Sequence, residues 1–159
     1  MKEVMIVFSD DNEIPIKISR DDVTVNYKEN ETLGEALFPA KESSGISLAE
    51  LSRQTGISES SITRHITNQS LPNLEMLIAY CIVLRANMFQ TLYYAYKAGY
   101  NLFYSDEKKT YLLIIMISHH FGLTIQQAND ILKSLGMKPI KWYDSKRESL
   151  RKNERNKSI

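Results

Sequence analysis

The chain has 159 residues, 43% of them hydrophobic and 25% charged, with one cysteine and a formal net charge of +1. That composition excludes a disordered, fibrous or disulfide-scaffold protein, and a lone Cys81 excludes both an internal disulfide and a multi-cysteine zinc or iron–sulfur site. The charge is uneven along the chain: −5 over residues 1–45, +1 over 46–100, +1 over 101–140 and +4 over 141–159. A basic end of this kind fits a polyanion partner or a solvated tail equally well.

The N-terminus offers only Val4 to Phe8 before Asp10 and Asp11, too short and too acidic for a secretion signal. Apolar runs such as the seven residues Tyr111 to Ile117 fall short of the roughly 18 that a bilayer span needs. The expectation is a cytoplasmic protein. Three short segments in the first 30 residues have strand character: Val4 to Phe8, then Ile14, Ile16 and Ile18, then Val23, Val25 and Tyr27, the last two alternating with polar residues. They predict a small β-meander over 1–30, with Pro15 at an edge or a strand start, that must pack on the rest of the chain or on a second subunit.

From residue 31 the period becomes helical. Thr32-Leu33-Gly34-Glu35 reads as a capping box, predicting a helix from about Leu33 toward Ser44 that Gly45 stops and Pro39 kinks or shortens. Ser47 caps a short helix with Leu48, Leu51 and Ser52 on its inner face; Gly56 permits a tight turn with Ile57 buried in it. Ser58 caps a second short helix whose inward positions are Ile62 and Ile66. Two short helices joined by a glycine turn are a helix-turn-helix.

The run Gly45-Ile46-Ser47-Leu48-Ala49-Glu50-Leu51-Ser52-Arg53-Gln54-Thr55-Gly56-Ile57-Ser58, with Ser61-Ile62-Thr63-Arg64-His65-Ile66 and Pro72-Asn73-Leu74-Glu75 after it, resembles the phage-repressor class of helix-turn-helix domains, the Cro or lambda-repressor-like (Xre) family. The resemblance covers roughly residues 32–98. It implies a five-helix fold and sequence-specific binding of duplex DNA. Leu48 stands where the family usually has a phosphate-binding Gln, and Asn68 where it has Gly after the recognition helix; Asn tolerates the left-handed conformation that position needs.

A broadly buried helix is expected at Leu74, Leu77, Ile78, Cys81 and Ile82, then one from Met88 with Phe89, Leu92, Tyr93, Tyr96 and Tyr100 on one stripe. Beyond the five-helix domain, Ser105 caps a helix over about 106–121, and Thr124-Ile125-Gln126-Gln127 opens another that ends at Gly136. From Lys141 the chain is charged. The expected fold is therefore mainly α, in four segments: a β-meander over 1–30, a helix-turn-helix DNA-binding domain over 31–100, a C-terminal helical hairpin over 101–140 and a basic tail over 141–159.

A helix of this type enters the DNA major groove and reads base edges from near its N-terminal end. Carried over from the family, Glu59, Ser60 and Arg64 would face bases, while Ser47, Ser58, Ser61, Thr67, Asn68 and Gln69 would lie nearer phosphates. Against this stands a scaffold reused for protein contact, an antitoxin or phage-encoded inhibitor, because Arg53 and Arg64 against Glu50 and Glu59 leave residues 46–70 net neutral while DNA affinity comes mainly from basic contacts to phosphate. His65 is expected at the edge of the domain, and Cys81 as an inert core thiol. His119 and His120, about 100° apart on a helix, do not form a chelating pair, so no metal and no cofactor is expected. No nucleophile–base arrangement or phosphate loop suggests an enzyme. The predicted function is a transcriptional regulator, a repressor or an activator of bacterial, phage or mobile-element genes. Its partner would be double-stranded DNA, bound as a homodimer on a palindromic site.

Overall fold

In the computed structural model, which describes residues 2–7, 13–18, 28–140 and 153–157, helices begin where the sequence supplies a capping side chain. The helices are α1 Leu33–Ser44, α2 Leu48–Thr55, α3 Glu59–Ile66, α4 Leu74–Val83, α5 Met88–Lys97, α6 Asp106–Phe121 and α7 Ile125–Ser134. Thr32, Ser47, Ser58, Asn73, Asn87, Ser105 and Thr124 each accept a hydrogen bond from the backbone three residues on, satisfying donors that a helix start leaves orphaned. Residues 153–157 are also helical.

Pro39 lies inside α1 on the exposed side, and the helix runs through it to a left-handed Gly45. The early end expected at that proline does not occur: the bond it removes belongs to the solvent side of the helix, where water can serve the freed carbonyl of Glu35.

The molecule is organised around α4, which contacts α2, α5, α6 and α7, while α1 packs on α3 and α5 and α2 on α3. The nine-residue apolar run Met76 to Leu84 explains that position. A helix apolar all round has no face to offer water and is covered on every side. Buried residues from Leu33 to Ile140 form one cluster, so α6 and α7 extend the core of the first five helices through Ile114, Ile115, Ile125, Ala128 and Leu132. Asn129, itself buried, accepts from the Ile140 amide at 2.7 Å and holds the segment after α7 against it.

On α5 the aromatic stripe is turned from its expected direction. Thr91, Tyr94 and Ala95 face the core, with Tyr93 at its margin, whereas Phe89 and Tyr96 are exposed. Tyr93 and Lys97 instead hold the entry to α1, the hydroxyl donating to Glu31 at 2.9 Å and the ammonium to the Lys28 carbonyl at 2.7 Å.

At the N-terminus, strands β1 Lys2–Val7 and β2 Glu13–Ile18 pair antiparallel, with Val4 opposite Ile16 and Met5 opposite Pro15. The third strand expected over residues 23–27 lies outside the described residues, so the three-stranded meander is not shown. Most of the basic tail lies outside them too. No helix among the described residues is long and apolar enough to cross a membrane.

Candidate nucleic-acid interface

The α2–α3 turn is tied by its own side chains. Gly56 takes φ 77°, Thr55 Oγ1 donates to the Leu51 carbonyl at 2.7 Å, and the same oxygen accepts from the Ile57 amide at 3.2 Å. Ile57, fully buried, anchors the turn in the core. The two helices therefore leave the turn at an angle set by packing and by a closed set of hydrogen bonds.

On α3, Ile62 is fully buried and His65 is 5% exposed, whereas Glu59, Ser60, Thr63 and Arg64 face solvent. The helical period of 3.6 makes this division, since 62 and 65–66 share the inner face and 59–60 and 63–64 the outer. His65 is not at the edge of the domain, as its sequence position suggested. Its Nδ1 lies 2.7 Å from the Tyr80 hydroxyl of α4, and the rings meet edge-on at 84°. Burial holds the imidazole below its ordinary pKa and pushes the Tyr80 hydroxyl above its own.

The site residues predicted from sequence fall into four groups. Ser58, Glu59, Ser60, Ser61 and Arg64 come together on the first turns and outer face of α3, with the Ser58 hydroxyl 2.8 Å from that of Ser61 and 3.3 Å from that of Ser60. Among the described residues no carboxylate pairs with the Arg64 guanidinium. Thr67 and Gln69 are exposed at the far end of α3; the Thr67 hydroxyl donates back to the Thr63 carbonyl at 2.7 Å. Asn68, in the left-handed region at φ 61°, accepts from the Gly34 amide of α1 at 3.1 Å, so its side-chain oxygen is a structural stitch. Ser47 is exposed at the start of α2, its hydroxyl oxygen accepting from the Glu50 amide at 3.1 Å.

Thr63, absent from the predicted set, belongs to the exposed face between Ser60 and Arg64. Spacing from Glu59 and Ser60 by four and three residues was the signal that placed it there. On α2, Arg53 is occupied. Its guanidinium and the Gln54 amide both donate to the Glu50 carboxylate, chiefly through Arg53, which holds Glu50 far below the usual carboxylate range, at about 2. Leu48, where the family has a polar residue, is half-buried against the core.

The remaining candidates stay out of this surface. His119 Nδ1 bonds the Arg85 carbonyl at 2.8 Å, and His120 packs edge-on against Phe121. Cys81 is buried in α4, where desolvation raises its thiol to about 12 and leaves no reactive thiolate. Among the described residues no group of three or more histidine, cysteine or acidic side chains gathers as metal ligands would.

Residues 40–88 match the sequence model of the helix-turn-helix family, a span that runs from the last part of α1 through α4 to Met88. No curated protein and no protein of solved structure matches the chain significantly.

Proposed function

We propose that this chain, whose residues 40–88 form a helix-turn-helix domain of the Cro or lambda-repressor (Xre-like) family of DNA-binding regulators, binds duplex DNA sequence-specifically with α3 in the major groove and controls transcription of bacterial, phage or mobile-element genes. The observation that carries the reading is the outer face of α3: Glu59, Ser60, Thr63 and Arg64 project from a helix locked to the core by Ile62 and His65. Arg64 carries a planar donor fork suited to guanine, Glu59 accepts from a cytosine amino group, and the Thr63 methyl suits thymine. Ser58, Ser61 and Ser47, at helix N-termini, would take phosphates, with Thr67 and Gln69 beyond. Domain boundaries at about 31–100 and 101–140 belong to the same reading, with residues 141–159, net +4, adding phosphate contacts.

Selection from a random duplex pool tests the proposal. Enrichment of one palindromic motif is the expected outcome, because two copies of a weak reading head on a two-fold site gain affinity together; an unenriched pool would overturn it. One observation favours a second reading, a protein-binding scaffold. Arg53, one of the two arginines in residues 46–70, is neutralised by Glu50. Retention on mixed-sequence DNA that falls steeply with salt separates the two, since only a phosphate-binding protein gives that slope.

A further inference from the structure

On α6 the side chains that face away from the molecule form a single stripe. Asp106, Lys109, Leu113, Met116 and His120 are exposed and Ile117 is half-buried, and the turn of a helix places all six within an arc of about 100°. The residues of α6 that enter the core, Ile114 and Ile115 among them, take the rest of the circumference. The outward side of a surface helix ordinarily carries polar residues, whereas the middle of this stripe is Leu113, Met116 and Ile117. Its steps of three and four, through 106, 109, 113, 116 and 120, are those of a helix that packs along another helix.

The two ends of the stripe differ in chemistry. Asp106, fully exposed, stands at the start with the Lys109 ammonium 3.5 Å away, and His120 stands at the finish, its ring edge-on against Phe121. Other groups at that finish are engaged elsewhere: His119 Nδ1 bonds the Arg85 carbonyl, and the Arg85 guanidinium lies over Gly122, which caps the helix. Asp106 and His120 each lie seven residues from Leu113, about 10 Å along the axis. A two-fold axis at Leu113 that sets a second α6 antiparallel to the first brings Asp106 of each copy to His120 of the other. It also puts Leu113 on Leu113, lays the Lys109 stem across Ile117, and opposes the two helix dipoles. A parallel pairing would set carboxylate on carboxylate and imidazole on imidazole. The stripe complements itself in the antiparallel orientation, and that identifies its occupant.

We propose that the outward face of α6 is a self-association surface on which a second copy of the chain packs its own α6 antiparallel, with Leu113 at the two-fold axis. The face lies outside residues 40–88, which match the helix-turn-helix family, and α6 packs on α4, α5 and α7, so the pairing does not use α3. One helix face from each copy is at the low end of interface sizes, which makes the dimer weak and reversible.

Sedimentation equilibrium of the full chain without DNA, from micromolar to submillimolar concentration, tests it independently of the DNA-binding proposal. A monomer–dimer equilibrium is expected, because a two-fold pairing closes at two copies; a monomer throughout, or growth into larger assemblies, overturns the proposal. Cross-linking reads the register. Cys81 is buried, so the wild type should not link under mild oxidation, Leu113→Cys should give a disulfide-linked dimer, and Ser60→Cys, exposed on α3, should not. Asp106→Lys or His120→Glu alone should weaken association several-fold while keeping the far-ultraviolet circular dichroism of the wild type, and the two together should restore it, since symmetry counts each change twice. Failure of Leu113→Cys to link, linkage through Ser60→Cys instead, or no recovery in the double variant overturns the proposal.

Discussion

Arg64 and His65 are neighbours in sequence and opposites in role, because one residue of helix turns a side chain through about 100°. Arg64 stands in solvent, paired with no carboxylate among the described residues. Arg64→Ala should therefore leave the melting temperature nearly unchanged while costing about 1–3 kcal/mol of binding to the selected site and relaxing preference at one base pair in each half-site. Binding assays on the site and its single-base variants would read both effects; unchanged affinity and preference would place base reading elsewhere. His65 is buried against Tyr80 and held below its ordinary pKa by desolvation. A base whose folded-state pKa is depressed takes up protons more readily when unfolded, so stability is complete above the unfolded value of about 6.5 and declines as pH falls below it toward the folded value. Thermal melts from pH 7.5 to 5.5 should show that decline, and His65→Gln, which still offers Tyr80 a hydrogen-bonding partner, should flatten it. Equal slopes for the two proteins would assign the decline to other groups.

At the scale of elements, α3 is held from two sides. Its inner face meets α2 across the Ile57 turn, and its C-terminal end meets the start of α1, where Asn68 accepts from the Gly34 amide. A β-carbon at position 34 would run into the Ile66 carbonyl and lie 2.6 Å from Asn68 Oδ1 and 2.7 Å from the His65 carbonyl. Two of these three are backbone atoms that no rotamer change can move aside. Gly34→Ala should thus push α1 off α3 at a cost of roughly 1–3 kcal/mol, despite alanine's better helix propensity, and a chemical-denaturation midpoint at or above wild type would contradict the close approach.

Over the whole molecule, the run Tyr111 to Ile117 divides between two environments. Tyr111, Leu112, Ile114 and Ile115 are buried, whereas Leu113 and Met116 are 46% and 42% exposed, with Phe121 exposed at the end of the same helix. Leu113 and Met116, three residues apart, share a helix face. If two copies of the chain meet on DNA, this surface lets them do so without covering α3. Leu113→Lys combined with Met116→Lys should preserve the fold and lower the association constant measured by sedimentation; equal association would move the contact elsewhere. Deleting residues 141–159 removes a net charge of +4, and if the tail meets phosphates the slope of log affinity against log salt becomes shallower for all DNA sequences alike.

The helix starts, the glycine turn and the inward isoleucines of that turn and of α3 were legible in the sequence because they depend on neighbours within four residues. Ser47, Ser58 and Thr124 cap with their own side chains, and Ile57 and Ile62 follow from spacing alone. The face carrying Glu59, Ser60 and Arg64 followed from the same period. Tertiary packing decided what periodicity leaves open. His65 became a core residue because Tyr80, fifteen positions away, supplies a hydroxyl for a ring that would otherwise be buried unsatisfied. The stripe on α5 turned toward Tyr94 because α6 packs on that helix and Tyr93 and Lys97 are engaged by residues 28–31. Asn68 was read as a conformational substitute for glycine, but only the approach of α1 shows its oxygen spent on Gly34. The meeting of Arg85 with Gly122 joins residues 37 positions apart. Local capping and turn energies are written in short stretches of chain, whereas the partner of a buried polar group is settled only when distant elements come together.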